Sequence, residues 1–409
     1  MDRRPLLRMN LGTALRDHTT FISHRGNASD RPIGIWFRFV PTRRTIPCIL
    51  ACLLVLSISC ATEIRSGSLC QSPAFSQWSF DLSRLIPRDR GLARPEDGKA
   101  LPDGRLVVAD ERQGLRLIKK DGSHRAFGRF AEVGYTHTPP NPAGGIQAVF
   151  LEHDARHLLV GDIYTGKIYR VNTETEETRL IYDHPFGVNS VYRDRKGTIW
   201  FTQSTRNTED RGKEEVWAAV NNPVPTGAVF KLPGFGDKLA EKAEEVVSDL
   251  YFANGITFDR TETFMYVSES MMDRVLRFHV DIENALISER ETYQSVFVPD
   301  NLAVDPDNNL WIASFAGNAI MVVDPKCRTL HTIFHATSSA HTAFVDEWVK
   351  RSHLGQSLGD LIKPGVWEPL PNFLTGLFFS EHFDAVYITG LGDAILKFTM
   401  PSGMNRRFH

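Results

Sequence analysis

The chain has 409 residues, and its 47 Lys and Arg side chains against 49 Asp and Glu give a formal net charge of −2. This balance excludes a generally basic protein that coats nucleic acid, and it excludes an acidic disordered tail. The length suits two or three domains or one large repeat fold. The five cysteines include no CxxC pair, which excludes a disulfide scaffold and a CxxC zinc site.

The first predicted element is an export signal. An apolar run of 14 residues, Ile46 to Ser59, follows two arginines and precedes Cys60. A basic flank, an apolar core and small residues at its end are typical of a secretory signal, and the run is shorter than the roughly 20 residues of a transmembrane helix. Ser57-Ile58-Ser59-Cys60 also resembles the lipobox of bacterial lipoproteins. We therefore expect residues 1–60 to be a leader, and the exported protein to be periplasmic or lipid-anchored through Cys60; the alternative is an uncleaved single anchor.

A repeat of about 51 residues follows, between Glu96 and Met400. Its six β-rich runs are Leu106–Asp110, Leu158–Ile163, Ile199–Ser204, Phe264–Ser270, Leu310–Phe315 and Val386–Leu391. Each run leads through a turn to a second β run, and a third often follows. Four short antiparallel strands per copy predict an all-β fold, a six-bladed β-propeller over residues 91–400 with residues 401–409 as a tail. A solenoid is the alternative, although leucine-rich or helical repeats would look different.

Segments outside the repeat give further expectations. Residues 61–90 are predicted to be a linker, in which the segment near Gln77–Leu82 supplies the outer strand of the sixth blade. A charged insertion spans Thr205–Thr226, and the helical spacing within His335–Leu370 predicts a helical insertion between blades five and six. That insertion either packs on the propeller or covers a central pocket as a lid.

Polar residues before the six runs predict a metal site. Tripeptides such as Val188-Asn189-Ser190 and Ala253-Asn254-Gly255 recur there, and equivalent positions of all blades point toward the propeller axis. The oxygen-bearing residues at four of these six positions are Glu96, Asn189, Asn254 and Asp300. Two carboxylates and two amide carbonyls favour one hard divalent cation, most simply calcium, which takes six to eight oxygen ligands. For a single Asn, the alternative is a turn residue that caps a loop.

Other side chains are weaker candidates. Four histidines are placed to line the axial face, but no spacing pairs them, which favours surface or structural roles: His137, His335, His341 and His382. Cys70 and Cys327 are the cysteines that remain after the leader, and we expect no disulfide between them.

The order of these motifs resembles a known family. The motifs are Pro95-Glu96-Asp97, Gly187-Val188-Asn189-Ser190, Ala253-Asn254-Gly255-Ile256 and Pro299-Asp300-Asn301-Leu302. Over Leu92–Met400 they are similar to the senescence marker protein, gluconolactonase and luciferin-regenerating enzyme family, with features of its strictosidine-synthase-like branch. The resemblance implies a six-bladed propeller with one axial divalent metal and, often, lactone or ester hydrolysis.

The resemblance also implies roles for individual residues. Glu96, Asn254 and Asp300 match the metal ligands of the family, and Asn189 matches an Asn at or near the metal and the substrate. Asp300 matches the proposed general base, so Asp300 and Asn189 are the candidate catalytic residues. Two positions depart from the gluconolactonase pattern: Ser190 stands in place of Asp, and Asn301 in place of Gly.

Three functions are compatible with this pattern. The leading hypothesis is a divalent-metal-dependent hydrolase of a small-molecule lactone or ester. The alternative is a non-catalytic envelope propeller that binds a ligand or a protein and holds a structural metal. A synthase of the strictosidine type is a third, for which no matching residues are found. An open axial funnel with Asn189 exposed favours the enzyme, whereas a plugged channel favours binding.

Overall fold

The structure, a computed structural model, describes residues 75–138, 143–235 and 238–400. The predicted signal segment and Cys60 lie outside these residues, so export and lipidation stay predictions. Within the described residues the strands form six four-stranded antiparallel sheets. This arrangement confirms the predicted six-bladed β-propeller.

The strands follow one another blade by blade. The first strand, β1, covers Leu85–Ile86, after a 3-10 helix at Leu82–Arg84, and it belongs to the last blade. Blade one contains β2 (Gly98–Ala100), β3 (Leu106–Asp110), β4 (Gly114–Ile118) and β5 (His124–Phe127). Blade two contains β6 (Ile146–Leu151), β7 (His157–Asp162), β8 (Lys167–Asn172) and β9 (Thr178–Asp183). Blade three begins with β10 (Ser190–Arg193), β11 (Ile199–Gln203) and β12 (Gly227–Leu232).

Blade three ends after a small two-stranded sheet. That sheet pairs β13 (Gly234–Phe235) with β14 (Lys238–Leu239), and β15 (Glu244–Leu250) then completes the blade. Blade four contains β16 (Ala253–Phe258), β17 (Phe264–Glu269), β18 (Arg274–Asp281) and β19 (Leu286–Ser295). Blade five contains β20 (Pro299–Val304), β21 (Leu310–Ser314), β22 (Ala319–Val323) and β23 (Leu330–His335). Blade six contains β24 (Leu374–Phe379), β25 (Ala385–Gly390), β26 (Ile395–Thr399) and β1.

The innermost strands form a closed ring. Each of them packs against the innermost strands of both neighbouring blades: β2, β6, β10, β16, β20 and β24. The six predicted runs correspond to the second strand of each blade. The sequence pattern does not predict the innermost strands, because several of them begin with polar residues, glycine or proline, which are unusual in a β-strand.

Two strands far apart in the chain close the ring. Strand β1 pairs with β26, with Leu85 opposite Leu396. The expected closing segment near Gln77–Leu82 was therefore placed too early. Trp78 instead forms an isolated bridge with Phe334, and its indole stacks on Phe398 with ring centroids 4.8 Å apart. The large ring of Trp78 is used for packing between blades rather than for strand pairing.

Two helices interrupt the blades. Helix α1 (Gly212–Asn221) connects β11 to β12, and helix α2 (Ser339–His353) connects blade five to blade six, which confirms the predicted insertion there. The charged insertion thus contains a helix that had not been predicted. Its Val216, Ala219 and Val220 are buried at helical spacing, which gives α1 one apolar face.

Helix α2 begins and ends with favourable side chains. The Ser338 hydroxyl caps its start by accepting a hydrogen bond from the His341 amide at 3.2 Å. Basic residues in its last turn face the negative end of the helix dipole. Its buried Phe344 and Trp348 are four residues apart and therefore lie on one face.

Two further findings concern the rest of the chain. Cys327 is disulfide-bonded, so the expectation of no disulfide in the chain after the leader is wrong. In the part of the chain that the structure describes, the helices are too short or too polar to cross a membrane.

Candidate functional site

Each blade contributes one polar side chain to a cavity at the centre of the ring. The cavity has a volume of about 60 Å³. The six side chains, called the floor below, are Glu96, Gln147, Asn189, Asn254, Asp300 and Thr375. The structure therefore brings all four predicted metal-site residues together. It adds Gln147 and Thr375, which belong to the tripeptides of blades two and six but had been given no role.

Irregular strand pairing turns several of these side chains toward the cavity. The register of the innermost strand shifts by one residue at Gln147, Asn254, Asp300 and Thr375. A bulge of this kind leaves one residue out of the ladder and re-aims its side chain. In the sequence, two of these bulges coincide with Asn254-Gly255 and with Pro299-Asp300-Asn301.

Two glycines let the innermost strands come close together. A Cβ atom on Gly255 would lie 2.7 Å from the Asp300 carbonyl oxygen, and one on Gly376 would lie 2.9 Å from the Glu96 carbonyl oxygen. Both distances are shorter than carbon–oxygen contacts allow. These glycines therefore determine the spacing of the floor.

The two floor asparagines are held in the same way. The Asn189 amide nitrogen donates to Ser204 Oγ at 2.8 Å, and Ser204 Oγ donates to the Ala253 carbonyl at 2.9 Å. One blade further on, the Asn254 amide nitrogen donates to Ser270 Oγ at 3.2 Å. Ser270 Oγ in turn donates to the Pro299 carbonyl at 2.6 Å. Each serine links a floor asparagine to the backbone just before the next floor residue.

This anchoring leaves both asparagine carbonyl oxygens without a partner. Asn189 Oδ1 and Asn254 Oδ1 are buried and accept no hydrogen bond, although a buried acceptor without a partner costs about 1–3 kcal/mol. Both residues line the cavity together with the carboxylates of Glu96 and Asp300. Four oxygen ligands of this kind fit a hard divalent cation, and calcium suits them better than softer metals.

The carboxylates differ in their surroundings. Burial, and next the negative charge of Glu96, raise the pKa of Asp300 well above its ordinary value. Burial also raises the pKa of Glu96, but the positive charge of Arg94 opposes this effect. Without a cation in the cavity, Asp300 is thus the carboxylate that most favours its protonated form.

Sequence reasoning missed the charged residues beside Glu96. The Arg94 guanidinium forms an ion pair with Glu96, and it also contacts Glu111 at 3.4 Å and the Tyr164 hydroxyl. Lys213 of helix α1 donates to the same Glu111 oxygen at 2.7 Å. No motif marks these residues, because a helix inserted in blade three meets the start of blade one only in the folded ring.

The two departures from the family pattern link blades together. Ser190 Oγ accepts a hydrogen bond from the Ile256 amide at 3.2 Å, as Asp97 Oδ2 accepts one from the Val149 amide at 2.9 Å. Asn301 donates to the Glu96 carbonyl at 3.4 Å. Ser190 thus connects the innermost strands of neighbouring blades three and four, and Asn301 connects blade five to the backbone before blade one; neither residue lines the cavity.

The candidate histidines lie elsewhere. In the described part of the chain no histidine lines the cavity; His335 and His341 line a separate groove beside helix α2, and His382 lies in another. His137 is 3.7 Å from Glu111. A group of Glu152, Asp154 and His157 lies at the other end of β6, but Glu152 there is paired with Arg170 and Arg193.

Both helices contribute apolar side chains to the lining of the cavity. Val216, Trp217 and Val220 of α1 and Trp348 of α2 line it, and we call this part the roof. Asn221, at the end of α1, binds the segment that follows α2: its side-chain oxygen accepts from Ser357 at 2.6 Å and from the Gly359 amide at 2.5 Å. The insertion before blade six therefore packs on the propeller and contributes Trp348 to the lining of the central cavity.

Comparisons with known proteins agree with this architecture. Pentonolactonase XacC of Haloferax volcanii is 24% identical over 229 residues, which are 55% of this chain and 70% of that protein. Protein STRICTOSIDINE SYNTHASE-LIKE 7 of Arabidopsis thaliana is 26% identical over 166 residues, which are 39% of this chain and only 42% of the relative. The crystal structure of regucalcin from Agrobacterium tumefaciens, a calcium-binding protein, has a TM-score of 0.54 at 12% identity, covering 80% of this chain and 96% of that one. At that identity the likeness supports the fold alone.

A family model gives the more direct assignment. The model of the SMP-30/Gluconolactonase/LRE-like region matches residues 132–345. The matched segment is more than half of the 409 residues, and it contains three of the four predicted metal-site residues. The chain belongs to the SMP-30/gluconolactonase/LRE-like family.

Proposed function

We propose that the protein hydrolyses a lactone or an ester at the axial cavity, with a divalent cation, calcium by the chemistry of the donors, held by Glu96, Asn189, Asn254 and Asp300. The observation that carries the proposal is the pair of buried, unpartnered oxygens of Asn189 and Asn254 beside two carboxylates. The gluconolactonase-like relatives, such as the pentonolactonase, support lactone hydrolysis as the reaction.

The residues of the cavity suit this reaction. When bound, a divalent cation supplies Lewis-acid polarisation of a carbonyl group. Asp300 is a buried carboxylate whose pKa is raised in the metal-free protein. With a cation bound beside it, its ionised form would be the base that accepts a proton from an attacking water. The positive charge of Arg94 opposes the rise in the pKa of Glu96, and its guanidinium orients that carboxylate. Ser204 and Ser270 fix the direction of the asparagine oxygens.

One observation favours a second candidate, a propeller that binds a ligand without turning it over. The roof forms part of the cavity lining, and Asn189 is only 2% exposed. An exposed Asn189 is the feature expected of the enzyme, so its burial favours the binding protein. In that case the cation would be structural, and the cavity would accept a ligand that is released unchanged.

Hydrolysis assays with and without chelator decide between the two. We expect the purified protein to hydrolyse members of a panel of lactones and aryl esters in the presence of calcium. A chelator should abolish hydrolysis, and excess calcium should restore it. Asp300→Ala should be inactive, whereas Asp307→Ala, an exposed turn residue of the same blade, should retain wild-type rates.

Two results would contradict the proposal. Hydrolysis that persists in chelator would rule out dependence on a metal. Stabilisation by calcium without hydrolysis of any panel member would favour the binding protein instead.

A further inference from the structure

The cavity joins a polar floor to an apolar wall. Above the floor it is lined by side chains from three blades and both helices, all buried: Ile163, Val216, Phe252, Val298, Phe315 and Trp348. These residues belong to one continuous apolar cluster. A ligand that reaches the floor must therefore place its remaining atoms against hydrocarbon and aromatic surface.

Several polar groups of the floor are already engaged in hydrogen bonds within the protein, which leaves fewer of them for the hydroxyl groups of a ligand. The amide nitrogens of Asn189 and Asn254 already donate to serines, and the Thr375 hydroxyl donates to the Glu96 carbonyl at 3.0 Å. Arg94 is engaged with Glu96, Glu111 and Tyr164. A sugar lactone carries several hydroxyl groups, and each one buried here without a partner would cost about 1–3 kcal/mol.

The size of the cavity gives a second reason. Its volume of about 60 Å³ is small, and the roof forms part of its boundary, so a substituent on a bound lactone would lie against the side chains of the roof. The roof packs mainly through apolar side chains such as Val216, Val220 and Trp348. An apolar substituent can pack against these side chains, whereas the hydroxyl groups of a sugar lactone gain little from them.

We propose that the substrate is an apolar lactone or ester, with an alkyl or aryl group that lies against the wall and the roof, rather than a polyhydroxylated sugar lactone. This inference rests on the proposed hydrolysis and names its substrate class. The inference comes from the apolar lining of the cavity, because the metal-binding side chains of the floor would suit either class of lactone.

A series of lactones with one ring and different substituents tests the proposal. We would compare kcat/KM for δ-valerolactone, for its derivatives with alkyl chains of increasing length, and for gluconolactone. A buried methylene contributes about 0.8 kcal/mol, so kcat/KM should rise about fourfold per methylene until the wall is filled. Gluconolactone should be slower than the unsubstituted ring.

A matched pair of variants links the effect to the roof. Val216→Thr keeps the shape of a buried side chain and adds one hydroxyl to the lining, so it should lower kcat/KM for the alkyl lactones about tenfold and for the unsubstituted ring much less. Val224→Thr makes the same change at a site that is 41% exposed and outside the cavity. It should leave the whole series unchanged.

Binding is measured in parallel, because failure of the hydrolysis and failure of the substrate class must be told apart. The readouts are the melting temperature and the tryptophan fluorescence, to which Trp217 and Trp348 in the roof contribute. Gluconolactone hydrolysed as fast as the alkyl lactones would overturn the substrate class and leave the hydrolase intact. Alkyl lactones that bind but are not hydrolysed would support the apolar class and overturn the hydrolase, and a protein that neither binds nor hydrolyses any lactone would overturn both.

Discussion

Replacing Asp300 by asparagine should separate two effects of this buried carboxylate: its effect on the stability of the metal-free protein and its effect on calcium binding. Asp300 is 7% exposed, and burial together with the charge of Glu96 raises its pKa. The proximity of these two acidic groups therefore destabilises the metal-free protein. Asparagine has nearly the same shape and no charge, so metal-free Asp300→Asn should be at least as stable as the wild type.

Calcium should reverse this order. At a calcium concentration 100 times the dissociation constant, linkage stabilises the wild type by about 2.7 kcal/mol, or about 5 °C in Tm for a domain of this size. Loss of one of the two anionic ligands should weaken binding about 100-fold, which is about 2.7 kcal/mol. At the same calcium concentration the variant would then gain only about 0.4 kcal/mol.

Thermal melting in calcium and in chelator measures both effects. The control is Asp307→Asn, which removes the same charge from an exposed turn of the same blade and should keep the full calcium response. An equal calcium shift in the wild type and Asp300→Asn would show that the ion binds elsewhere. A metal-free Asp300→Asn that melts well below the wild type would show that the ionised carboxylate stabilises the fold.

Three other outcomes are expected. Ser270→Ala should lower the free energy of unfolding by about 1–3 kcal/mol and weaken calcium binding, because the Asn254 amide loses its anchor; unchanged denaturation and calcium titration curves would argue against the anchor. Arg94→Gln should destabilise the metal-free protein by about 3 kcal/mol, because Glu96 loses its buried cation, and calcium should then stabilise the variant more than the wild type; equal gains would contradict this role. Burial lowers the pKa of His184 to about 4, whereas the same imidazole in the unfolded chain takes up a proton near pH 6.5. The stability that neutral His184 contributes is therefore complete above pH 6.5, and it falls by about 3 kcal/mol as the pH is lowered to 4. Denaturation curves over this range should depend less on pH in His184→Phe, and the same dependence in both proteins would refute the assignment.

The repeat could be read from the sequence because the second strand of each blade is a buried run of β-branched and aromatic residues. The predicted run Leu106–Asp110, for example, matches β3 residue for residue. The innermost strands were harder to see, since their bulges place polar residues such as Asn254 where a regular strand would have an apolar one. Helix α1 was missed because its charged residues outweigh a short apolar face.

The residues of the candidate site could be predicted from the sequence where they recur at the same position of each repeat. Asn189 and Asp300 occupy equivalent positions of different blades, so their convergence follows from the symmetry of a propeller. Arg94 lies only two residues before Glu96, yet its role depends on the roof and on a tyrosine of blade two. Contacts of that kind are created by the closed ring and have no periodic signal in the sequence.

The pairing of β1 with β26 has a consequence for how the propeller folds and opens. These strands are about 310 residues apart in the chain, and joining them closes a loop whose entropic cost grows as the logarithm of its length, about 5 kcal/mol here before constant terms. Blade six can therefore form completely only after the other blades have shortened that loop, which makes its assembly a late step. The same two-residue strand is the natural place for the ring to open, so amide hydrogens of β1 and β26 should exchange with solvent through a partial opening that leaves blades one to five folded.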